Sequence, residues 1–102
     1  MANIQKNDGG YIVTHKELEQ IVRKIFKEVM PSNYPFQITK VCGYLEIVPD
    51  SESRIFSEGE LAGYIDTFNA KLRNKTCGAH GVGGYKVSNN SGNVKLQFVT
   101  IF

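Results

Sequence analysis

Apolar residues at Leu18, Ile21, Val22, Ile25 and Val29 recur at the same spacings in Leu61, Tyr64, Ile65, Phe68 and Leu72. An i, i+3, i+4, i+7 rhythm puts all five side chains of each set on one stripe of an α-helix. Each stripe opens on the same start signal. Thr14 with Glu17, and Ser57 with Glu60, have the spacing of a capping box, in which a hydroxyl accepts the first free backbone N–H groups. The pattern predicts helices over about 15–30 and 58–74, running roughly parallel, each entered from a short extended run at 11–13 and 54–56. Pro31 and Pro35 stop the first helix. Both stripes need a sheet to cover them.

The polar and apolar order elsewhere supplies strands. Residues 36–48 hold Ile38, Val41, Leu45, Ile47 and Val48, all β-formers. Alternation slips between Ile38 and Val41 near Gly43, which predicts a bulge or sharp bend at 40–43. The cluster Pro49-Asp50-Ser51-Glu52-Ser53 reads as a turn folding the chain back into a return strand at 54–56. Strands at 85–88 and 94–102 pair across a five-residue loop at 89–93. Strict alternation in the last strand sends Val94, Leu96 and Phe98 towards the helices. It sends Lys95, Gln97, Val99 and Ile101 to the other face, with Lys86 and Tyr44.

These elements predict an α+β fold with two helices on one face of a four- to five-stranded antiparallel sheet. The order is the ferredoxin-like split βαβ arrangement with one extra C-terminal strand, and the duplicated boxes are what its internal two-fold would leave. The expected core is Leu18, Ile21, Val22, Ile25, Val29, Leu61, Ile65, Phe68, Leu72, Leu96 and Phe98. Residues 1–10, polar and ending in Gly9-Gly10, read as a flexible arm before a single domain at 11–102.

Length and composition fit this picture. The chain has 102 residues, 41% hydrophobic and 22% charged, ordinary for one globular domain rather than a disordered tail. No apolar run approaches a membrane span or a secretory h-region, so the expected location is cytoplasmic. Two cysteines make a disulfide framework a poor reading and two reduced, largely buried thiols a better one.

The net charge of +2 conceals an uneven distribution. Residues 46–66 carry six acids against Arg54, whereas 67–102 carry Lys71, Arg73, Lys75, Lys86 and Lys95 and no acid. A folded chain with this split presents a basic surface near the end of the second helix.

Candidate chemistry is sparse. Cys77 and His80 have a two-residue gap seen in zinc sites, but His15 and Cys42 lack partners at matching spacing. As a nucleophile, Cys77 lies at a helix C-terminus, the opposite end from the one that activates cysteines. The stretch 76–84 holds Gly78, Gly81, Gly83 and Gly84 but follows a helix, while phosphate cradles precede one. Gly84-Tyr85-Lys86-Val87 lacks the basic-Gly-aromatic motif of RNA-recognition domains. No metal or cofactor is expected.

The sequence therefore points to a non-catalytic protein-binding module, an adaptor or inhibitor that occupies a larger partner. The Lys-, Asn- and Ile-rich composition suits a phage or mobile-element product, for instance an inhibitor of a host defence complex. Partner contacts are expected at Lys71, Arg73, Lys75, His80, Tyr85, Lys86 and Lys95, forming one basic surface beside a mobile loop at 76–84 and meeting an acidic patch. The alternatives are nucleic-acid binding by the basic C-terminal third and a small thiol- or metal-dependent enzyme. A homodimer through the open sheet face is a further expectation.

Overall fold

The computed structural model describes residues 5–7, 10–12 and 14–102. In chain order the elements are β1 (Gln5–Asn7), β2 (Gly10–Ile12), α1 (His15–Val29), β3 (Phe36–Val41), β4 (Tyr44–Pro49), β5 (Phe56–Ser57), α2 (Glu58–Lys75), β6 (Val82–Asn90) and β7 (Asn93–Ile101). The fold is α+β: two helices against a five-stranded antiparallel sheet, with β1 and β2 as a separate two-stranded ladder. The 1–10 stretch read as a flexible arm thus contributes β1 and the start of β2; its residues 1–4, 8 and 9 lie outside the described residues, as does Val13 of the expected 11–13 strand.

Both helices begin where the duplicated boxes put them. Thr14 Oγ1 accepts the Glu17 N–H at 3.2 Å, and Ser57 Oγ accepts the Glu60 N–H at 3.3 Å. The Glu60 carboxylate takes a 3.1 Å bond from Arg54, a surface ion pair of small energetic weight.

The sheet departs from the ferredoxin-like expectation. Its order is β3-β4-β7, with β5 also on β7 and β6 paired with β7. The strand before α1 does not enter it, since β2 pairs only with β1. What repeats is a helix followed by a hairpin, α1-β3-β4 and α2-β6-β7, and the hairpins join through β4 and β7. The bend expected at 40–43 is a full reversal, with Val41 opposite Tyr44 across Cys42-Gly43 and Gly43 at φ 82. A single reversal converts the supposed long strand into the first hairpin. The second hairpin turns in two residues rather than five. Ser91 and Gly92, at φ 53 and 85, form the primed turn that matches strand twist.

The turn cluster at 49–53 does not fold the chain back. Ile47 faces Val99 and Phe56 faces Val94, so nine residue steps on this side span five on β7 and the chain continues in the same direction. The surplus residues loop out. Pro49 brings no backbone N–H to extend the ladder, the Ser53 N–H closes a turn on the Asp50 carbonyl at 3.0 Å, and Lys95 Nζ bonds the Ser51 carbonyl.

Strict alternation also fails in β7. Lys86 faces Phe98 and Val87 faces Leu96, so one step on β6 meets two on β7, a bulge at Gln97. The bulge reverses the phase: Val94, Leu96, Val99 and Ile101 are buried, and Phe98 turns to the open face. Expected core residue Phe98 and expected surface residues Val99 and Ile101 thus exchange places.

The remaining expected core residues are buried, apart from the half-buried Val29, and Phe26 is added to them. Its ring lies 4.8 Å from Phe36, 5.2 Å from Phe68 and 6.1 Å from Tyr34, each edge-on. Tyr34 packs on Phe56, and Phe56 on Tyr64. These contacts bring the end of α1 to the start of α2, so the helices run antiparallel rather than parallel. No helix among the described residues is long and apolar enough to cross a membrane.

Candidate binding cleft

Between α1 and the last turns of α2 lies an open cleft of about 500 Å³. Gln20, Lys24 and Glu28 line it from α1, and Lys71, Asn74 and Lys75 from α2. Ile21 and Ile25 form its floor, members of the stripe that the helix partner does not fully cover. Helical geometry explains the convergence. Positions four apart share a flank, so Gln20, Lys24 and Glu28 make one wall and Lys71 and Lys75 the other.

Three lysines and one carboxylate, that of Glu28, therefore line the cleft. Among the described residues the one ion pair is Arg54–Glu60, which leaves Lys24, Lys71 and Lys75 without an acidic partner. An ammonium in such a place keeps its hydration until an anionic group displaces it. Beside an apolar floor, the cleft suits a ligand that is both acidic and apolar. No protein-family model matches this chain, and no curated protein or solved structure is significantly similar to it.

The seven residues expected to form one surface fall in three places. Lys71 and Lys75 are in the cleft. Arg73, two positions from each, is on the opposite flank of α2, where its stem packs over Gly81: a Cβ there would lie 3.0 Å from Arg73 Cγ. His80 adjoins Gly81, and Tyr85, opposite buried Val99, is on the helix side of the sheet edge with 42% of its surface exposed. Lys86 and Lys95, opposite Phe98 and Ser88, are on the open face. A 3.6-residue period separates Arg73 from its neighbours, and strand alternation separates Tyr85 from Lys86. Lys24 was missed because its heptad position reads as solvent-facing; only the antiparallel pairing of the helices brings it beside Lys71.

The stretch 76–84, expected to be mobile for want of side chains to hold it, is held by several. Buried Thr76 donates from Oγ1 to the Leu72 carbonyl at 2.9 Å and accepts the His80 N–H at 3.1 Å. Asn69 Oδ1 accepts the Val82 N–H at 2.8 Å. His80 Nδ1 donates to the Phe102 carbonyl at 2.7 Å, and the Phe102 N–H returns a 3.1 Å bond to Gly81. Gly83 and Gly84 belong to β6.

Neither cysteine is buried as expected; Cys42 and Cys77 are free and exposed, each in a turn. Cys77 has φ 53 at the end of α2, where its N–H bonds the Asn74 carbonyl and the Gly78 N–H bonds that of Arg73 at 2.7 Å, a Schellman motif. Among the described residues no three His, Cys, Asp or Glu side chains gather into a metal-binding group.

Proposed function

We propose that this protein is a small non-catalytic binding module that acts by occupying a larger protein, gripping an acidic, partly apolar segment in the cleft between α1 and α2. The observation that carries this reading is the convergence of Lys24, Lys71 and Lys75, none ion-paired among the described residues, over Ile21 and Ile25. An adaptor or an inhibitor would use such a cleft in the same way. A cytoplasmic site of action agrees with two exposed thiols left unpaired.

Titration with an acidic amphipathic peptide of Glu and Leu, and in parallel with an oligo-dT strand, tests the reading. The peptide should bind, weaken with added salt, and lose about tenfold or more in affinity in the Lys71→Glu, Lys75→Glu double variant. Thermal stability of the double variant should stay close to the parent's, because both side chains are at the surface. Preference for the oligonucleotide, lost in the same variant, would reassign the cleft to phosphates. Unchanged peptide affinity in the variant would exclude the cleft as the site.

A further inference from the structure

The side of the sheet away from the helices has no cover among the described residues. Its occupants follow from register. Leu45 and Ile47 are buried against the helices, so Tyr44, Glu46 and Val48 of β4 point the other way. Val41 is opposite Tyr44, and Thr100 opposite Glu46, on the same face. The bulge at Gln97 adds Phe98, with Lys86 across from it on β6, and Lys95 lies farther along the same face with its Nζ bonded to the Ser51 carbonyl. Val41, Tyr44, Val48 and Phe98 are half-buried by their neighbours alone. Glu46 lies among them, with Val41 and Tyr44 to one side of it and Val48 to the other, while Phe98 continues the face onto β7 and Lys86 onto β6.

We infer that this face is a two-fold interface between two copies of this chain. The charges choose the occupant. Among the described residues neither Glu46 nor Lys86 is ion-paired, and an isologous contact requires a surface complementary to itself. Glu46 and Lys86 meet that requirement: a two-fold axis lying in the interface and midway between them sets Glu46 of each copy on Lys86 of the other, with the apolar side chains beside Glu46 and Lys86 meeting across the axis. A face of single sign would repel its own copy. A nucleic-acid strand fits less well, since Glu46 stands among the very side chains that would meet its phosphates. The interface lies on the opposite side of the molecule from the lysine cleft and is independent of it.

Sedimentation equilibrium of the intact chain, from micromolar to several hundred micromolar, should show a reversible dimer. Glu46→Lys and Lys86→Glu should each weaken it by about tenfold or more, since each places like charges across the axis. An equimolar mixture of the two variants should recover the dimer, because every contact between unlike copies is again acid to base. Circular dichroism checks that both variants fold, and the Lys71→Glu, Lys75→Glu variant should dimerise as the parent does. A parent that stays monomeric throughout, variants that dimerise as tightly as the parent, or a mixture that fails to recover would each overturn the assignment.

Discussion

Tyr34 is buried beyond the end of α1, and its hydroxyl, like that of buried Ser53, has no partner at hydrogen-bond geometry. Burial raises the Tyr34 phenol above its ordinary 10, an effect the nearby Ser53 hydroxyl partly offsets. The raised value means that the folded state holds this proton more tightly than the unfolded chain does. Stability from this source is complete below the unfolded pKa and is lost as pH rises through the folded one. Urea midpoints at neutral pH and above pH ~10.5 should fall less in Tyr34→Phe than in the parent; an equal fall in both would show that the phenol contributes nothing. Nothing in the local sequence marks this residue for burial. It stands between two prolines in a stretch that reads as loop, and only the aromatic neighbours Phe26 and Phe56 draw it inside.

At the level of elements, the two helices are set by local signals, and their ends can be tuned locally. The Schellman motif closing α2 requires a left-handed residue, and Cys77 occupies it with open space around Gly78 beside it. A side chain in that conformation costs about 1 kcal/mol relative to glycine, less the greater freedom glycine has in the unfolded chain. Cys77→Gly should therefore stabilise the protein by about 0.5 kcal/mol, read as a higher denaturant midpoint with unchanged slope. A lower midpoint would mean that the thiol makes a contact worth more than the strain it relieves. The strands are less local. Alternation correctly separates inside from outside in β4, but in β7 one extra residue at Gln97 inverts everything after it.

Across the whole molecule, Phe26 links the parts. Its ring contacts α2 through Phe68, the sheet through Phe36 and the α1–β3 loop through Tyr34. The stripe rule passed over it because Ile25 already filled that part of the heptad. Phe26→Ala should cost about 3–5 kcal/mol in unfolding free energy, since it empties a space enclosed by α2, the sheet and the α1–β3 loop. A loss below about 1 kcal/mol would show that these rings repack freely. The cleft is a property of the same scale: its two walls are about fifty residues apart in sequence, and the antiparallel helix pair alone brings them together.

Helix position, helix boundaries, most of the buried stripe and the α+β class were legible in the chain, because a capping box and a 3.6-residue period act over a few residues and need no partner. Strand order was not. Whether 49–53 reverses the chain or merely loops out depends on which strand waits alongside, and β7 comes forty residues later. The bulge at Gln97 likewise exists only against β6. The same limit governed the basic residues. Sequence grouped Lys71, Arg73, Lys75, Lys86 and Lys95 by nearness along the chain, whereas packing dealt them to a helix cleft, an outer flank and the open sheet face, and put Lys24 beside Lys71. A charge's sign belongs to its residue, but its neighbours are chosen by the tertiary fold.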